Sequence, residues 1–100
     1  QFPMLIVQKF GGTSVATIER IRNVARKVQA ERVRGHKVAV VVSAMAGVTN
    51  QLVAYVGELS PLHTPEAWSE YDQVVSSGEQ VTSGLLALAL QEMGIPARSY

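Results

Sequence analysis

The chain has 100 residues, 47% hydrophobic and 17% charged, enough for one small domain and too apolar for native disorder. Nine basic residues against eight acidic ones give a formal net charge of +1, which excludes nucleic-acid binding driven by bulk charge. The absence of cysteine excludes disulfide scaffolds, thiolate metal sites and cysteine nucleophiles.

Met4-Leu5-Ile6-Val7 is a continuous apolar run leading into Gln8-Lys9-Phe10. It predicts a strand buried on both faces, as in parallel sheets. Gln1-Phe2-Pro3, ahead of Met4, reads as an extension. After Gly11-Gly12, the residues Ile18, Ile21, Val24, Ala25 and Val28 recur at helical spacing, opposite a face carrying Arg20, Arg26, Lys27, Glu31 and Arg34. Thr17 is the expected N-cap, Glu19 favours the positive end of the helix dipole, and Gly35 is placed to end the helix.

Val38 to Val42 predicts a second buried strand, followed by a loop of small and polar residues, Ser43 to Asn50. Leu52, Val53, Val56 and Leu59 resume helical spacing. Thr64-Pro65-Glu66 is a helix start, with a cap, a fixed φ and then negative charge. Trp68, Tyr71, Val74 and Val75 continue that helix. Ser77 and Gln80 stand at capping-box spacing and predict a fresh start. Val81, Leu85, Leu86, Leu88 and Ala89 give the last helix a broad apolar face. Gly94 ends it, and Ile95 to Tyr100 is expected to be extended. The predicted order is strand, helix, strand, three helices, strand: an α/β fold with a mainly parallel sheet. No apolar run approaches the ~20 residues that cross a bilayer, and no signal peptide is visible. A cytoplasmic protein is expected.

Three polar breaks carry candidate chemistry. Lys9-Phe10-Gly11-Gly12-Thr13-Ser14 lies at the carboxyl end of the first strand, the sheet edge where ligands bind in open α/β folds. Adjacent glycines let backbone N–H groups approach an anion, a following helix adds favourable partial charge, and Lys9 adds a full one. The spacing is neither a Walker A loop nor a dinucleotide fingerprint. On its own the segment also fits an ordinary strand-to-helix turn with a surface lysine. Ser43, Thr49 and Asn50 offer hydrogen-bonding groups on the same edge, or Thr49 or Asn50 simply caps the next helix. Glu79 either sits in a helix's first turn for electrostatic reasons or receives a substrate ammonium. His36 and His63 have no partner at metal-ligand spacing and are expected to be solvated. Trp68, Tyr55 and Tyr71 read as packing residues.

Taken together, Val7 to Val15, Val41 to Asn50 and Ser76 to Thr82 strongly resemble aspartokinases, in that family's order and at compatible separations. The resemblance runs from about Leu5 to Tyr100. It implies a three-layer αβα sandwich of the amino acid kinase type, present as its N-terminal portion, with regulatory ACT domains absent from the chain. The implied activity is ATP-dependent phosphorylation of the side-chain carboxylate of L-aspartate, the entry to lysine, threonine, methionine and diaminopimelate synthesis. Lys9, Phe10, Gly11 and Gly12 are implied to bind ATP, with Lys9 catalytic at the transferred phosphoryl group. Ser14, Ser43, Thr49 and Glu79 are implied to bind substrate, and Ala44 and Met45 to line the cleft. Mg²⁺ is the implied metal, without a metal ligand assigned in the chain. The complete protein is expected to be a homo-oligomer with no nucleic-acid or membrane partner. Members of the family are several times longer, and the remainder supplies the adenine pocket, so these residues alone are expected to be inactive. Other amino acid kinases, acting on carbamate, acetylglutamate or uridylate, are the competing enzyme reading. A non-catalytic module is the other alternative.

Overall fold

A computed structural model describes residues 3–100, so most of the Gln1-Phe2-Pro3 extension lies outside the described residues. Strand β1 (Leu5–Phe10) and strand β2 (Lys37–Val42) form a two-stranded parallel sheet, with Leu5 opposite Lys37 and Phe10 opposite Val42. A single 3-10 turn at Gly12–Val15 and helix α1 (Ile18–Val33) connect them. Helices α2 (Val48–Leu59) and α3 (Pro65–Glu92) follow.

The β-β-branched runs form strands because their side chains pack well on a pleated surface. Their burial alternates. Phe10 and Val42 are buried on the face covered by α1 and α3, whereas Leu5 (67% exposed), Val7 (65%) and Val41 (51%) point the other way. Burial on both faces, expected from the continuous apolar runs, is therefore half met among the described residues. Helices cover one face of the sheet, giving two layers of the expected sandwich.

Helix α1 forms as its periodicity predicts. Thr17 caps it, its hydroxyl accepting from the Arg20 amide at 3.2 Å. Ile21, Val24, Ala25 and Val28 are buried against Phe10, Val15, Val42, Leu86 and Leu90. Chain reversal beyond α1 uses Gly35 at φ 88°. Beside it, His36 departs from expectation. It is buried, and its Nδ1 accepts the Met4 amide at 3.1 Å. The imidazole thus ties the start of β1 to the start of β2, a role that a chain-local reading cannot see. His63 is exposed, as expected.

The largest difference is α3. One 28-residue helix runs where two were expected. Thr64 caps it, accepting from the Ala67 amide at 3.1 Å, with Pro65 at the first position. No new helix starts at Ser77. The polar cluster is absorbed within the helix: Ser76 and Ser77 donate to the Gln73 and Val74 carbonyls, and Thr82 to that of Gly78. Trp68 and Tyr71 pack edge to face, with centroids 5.0 Å apart. Met93 and Gly94 close the helix, Gly94 at φ 80°. Ile95 to Tyr100 forms no strand.

Gly84 lies within α3 with open space where a Cβ would stand. Gly84→Ala should stabilise the protein by about 0.5–1 kcal/mol through backbone entropy. A fall in the urea midpoint would contradict this. The shape is elongated, 54 × 26 × 18 Å. The accessible surface is 7052 Å², against about 5,500 Å² for a compact monomer of this mass. No helix of the described residues is long and apolar enough to cross a membrane.

Candidate active site

The three polar breaks come together around one small residue, Ala44. It is buried, two residues beyond β2. A Cβ placed on Gly12 would lie 3.1 Å from the Ala44 carbonyl oxygen, and one placed on Gly78 would lie 2.9 Å from the Ala44 Cβ. The loop after β1, the loop after β2 and the middle of α3 thus meet at backbone distance. A side chain at Gly78 would force a neighbour to shift, and one at Gly12 would be tight.

Lys9 is exposed on the open sheet face, opposite Val41. The Phe10 side chain points the other way into the core, with the Lys27 ammonium 5.9 Å from its ring centre. Only the backbone of Phe10 faces the loop edge, where its carbonyl accepts the Ser43 amide at 3.2 Å. Gly11 is extended and exposed. The Ser14 amide bonds back to the Gly11 carbonyl at 3.0 Å, closing the 3-10 turn. Because α1 starts only at Ile18, the glycine loop leads into this single turn and not directly into the long helix. The expected contribution of the α1 dipole at Gly11 and Gly12 is correspondingly remote, since the effect fades within a turn.

Neither Thr49 nor Asn50 caps α2. Gly47 does, at φ 84° and ψ −18°, a left-handed conformation that a residue with a side chain adopts at a cost. Thr49 and Asn50 then fall in the exposed first turn. Nor does Glu79 begin a helix: it lies mid-α3, exposed, beside the buried Gly78. The helix-dipole explanation for Glu79 is thereby removed. Among the described residues, Lys9, Thr49 and Glu79 form no side-chain hydrogen bond or ion pair; the three ion pairs involve Glu19 and Glu31 with arginines around α1. Ser14, Ser43 and Met45 are half-buried along the same edge. Sequence reading overlooked Gly78 as the close-contact residue. An isolated glycine within an apolar helical pattern was the signal that could have marked it. Two wider concavities, about 760 and 490 Å³, lie elsewhere, along β2 with Ile95–Tyr100 and between α1 and α3.

Sequence comparison finds the model of the amino acid kinase family matching residues 4–100. The chain belongs to the amino acid kinase family. Among its relatives is an aspartokinase of Rickettsia felis, 57% identical over 96 residues, covering 96% of this chain and 24% of that protein. An aspartokinase of Pseudomonas aeruginosa is 53% identical, with 96% and 23% covered. In structure, this amino acid kinase chain is similar to the aspartate kinase of Synechocystis, with a TM-score of 0.88, 48% identity, and 96% and 16% covered. It is also similar to E. coli aspartokinase III in complex with aspartate and ADP, with a TM-score of 0.76, 25% identity, and 96% and 31% covered. The chain spans about a quarter of the length of the curated relatives it matches.

Proposed function

We propose that the chain is the N-terminal portion of the catalytic domain of an aspartate kinase, which phosphorylates the side-chain carboxylate of L-aspartate with ATP. The convergence of the Lys9–Ser14, Ser43–Thr49 and Gly78–Glu79 segments on Ala44 carries this reading. The aspartokinase relatives and the E. coli structure with aspartate and ADP support the choice of substrates. The exposed apolar face of Leu5, Val7 and Val41 supports placement within a larger sandwich. In this reading the product, 4-phospho-L-aspartate, enters lysine, threonine and methionine synthesis in the cytoplasm, and the complete protein is a homo-oligomer.

Phosphoryl transfer asks for in-line positioning and neutralisation of developing charge, with little covalent work by the protein. The Lys9 ammonium would neutralise charge on the transferred group. Backbone N–H groups of Gly11 and Gly12 would hold phosphate oxygens. A free aspartate side chain has a pKa of about 3.9 and is already ionised near neutral pH, so no general base is needed. Glu79 would pair with the substrate ammonium, Thr49 would hydrogen-bond the substrate, and Ser14 and Ser43 would line its approach. Among the described residues no three His, Asp or Glu side chains gather. Mg²⁺ would be held by nucleotide phosphates and water, which suits an ion that dehydrates reluctantly.

The test is ADP release by the complete gene product supplied with Mg-ATP. Release dependent on L-aspartate is expected, with none for the 100 residues alone. Release dependent instead on carbamate, acetylglutamate or uridylate would overturn the substrate assignment.

A further inference from the structure

We propose that Ala44 is the spacer of this site and Gly78 a positioning residue for the amino-acid substrate. With Gly12 they fix the separation between the helix carrying Glu79, the 3-10 turn carrying Ser14 and the first turn of α2 carrying Thr49. The inference rests on the aspartate kinase reading, since it assigns those side chains to substrate.

The argument starts from contact distances. A methyl group on Gly78 would stand 2.9 Å from the Ala44 Cβ, 3.2 Å from Val48 Cγ1 and 3.4 Å from Leu52 Cδ1. Carbon atoms pack best at about 3.5–4.0 Å. Leu52 can adjust by rotation of its side chain, and Val48, β-branched, can do so less easily. Ala44 cannot, because a Cβ moves only with its own backbone. On its other side that backbone runs close to Gly12, with the Ala44 carbonyl oxygen 3.1 Å from where a Gly12 Cβ would stand. The Ala44 methyl is therefore a stop against α3 with little room behind it.

Each element that meets Ala44 or Gly78 also carries a candidate substrate group next to the contact. Glu79 follows Gly78, Thr49 follows Val48, and Ser14 lies two residues beyond Gly12. Lys9, by contrast, belongs to the β ladder, paired with Val41. Pushing α3 off Ala44 would move Glu79 away from Thr49 and leave the lysine in place. Gly78 is otherwise a poor choice, since glycine weakens a helix interior. Its carbonyl accepts the buried Thr82 hydroxyl at 3.1 Å, a bond within the same helix. Gly84, in the same helix with nothing within 4 Å, has no such contact and serves as the control.

The experiment uses the complete gene product and compares wild type, Gly78→Ala, Gly78→Ala/Ala44→Gly and Gly84→Ala. Gly78→Ala should raise the KM for aspartate about tenfold and change that for ATP by less than about twofold, short of the about 100-fold cost of a full 1 Å misplacement. Adding Ala44→Gly removes the methyl that Gly78→Ala strikes, and should return the aspartate KM to within about threefold of wild type. Gly84→Ala should match wild type. An unchanged aspartate KM in Gly78→Ala, equal losses for both substrates, or no restoration by Ala44→Gly would overturn the proposal. If Gly78→Ala does not fold, the double variant decides: folded with near-wild-type aspartate KM supports the spacer, and unfolded refutes it. If the wild type binds no aspartate, the functional reading falls separately. The spacer is then judged by Tm, which Gly78→Ala must lower, against helix propensity, and Ala44→Gly must restore.

Discussion

Replacing Lys9 with alanine should lower kcat by about 10²–10³-fold, the usual cost of removing one group that stabilises transition-state charge. The KM for aspartate should change by less than about threefold, since the lost interaction is one made in the transition state. The reason lies in placement. Lys9 is the last charged residue of β1, one residue before the buried Phe10, and its side chain is exposed on the sheet face opposite α1. The ladder with Val41 fixes its backbone. The ammonium can therefore reach the sheet edge while its anchor stays rigid. Steady-state kinetics of the complete gene product check this, and a kcat within a factor of about two of wild type would refute the catalytic role. Lys9→Arg tests the geometry further: it keeps the charge but replaces a compact point charge with a planar fork, and should recover only part of the rate.

Glu79→Gln should weaken aspartate binding by up to about 100-fold, corresponding to loss of a charge-assisted interaction of about 1.5–3 kcal/mol. ATP binding should be nearly unchanged. The substitution preserves volume and helix propensity, and Glu79 is exposed without an internal partner among the described residues. Its folding cost should accordingly be small. Calorimetric titration with each ligand separates the outcomes: parallel losses of aspartate and ATP affinity would point to a disturbed fold and against an ammonium-binding role.

Local signals in the sequence carried most of the fold. Thr17 and Thr64 cap the helices they precede, Gly35 and Gly94 stand at the expected exits, and the two apolar runs became the two strands. Signals failed where a tertiary contact overrode them. Ser77 to Gln80 has the composition of a helix start, yet the Ser76 and Ser77 hydroxyls bond back within the helix and Gly78 lies against Ala44. His36 looks solvated until the start of β1 is placed beside it. Thr49 resembles a cap until Gly47 takes the left-handed turn before it. Of the candidate site, the residue types and their order were legible. The meeting point was not, because Ala44 has no chemistry of its own to announce it.

The parallel pairing of β1 and β2 also dictates how the molecule must assemble. A hairpin could zip from its turn, but here Leu5 must find Lys37 across the whole intervening segment. Loop closure of that length costs entropy before any ladder bond returns it. Helix α1 shortens the search. Its 16 residues span about 24 Å when wound and about 55 Å when extended. Winding α1 therefore draws the ends of the two strands into reach, and loss of its Thr17 cap is expected to slow sheet formation as well as to destabilise the helix.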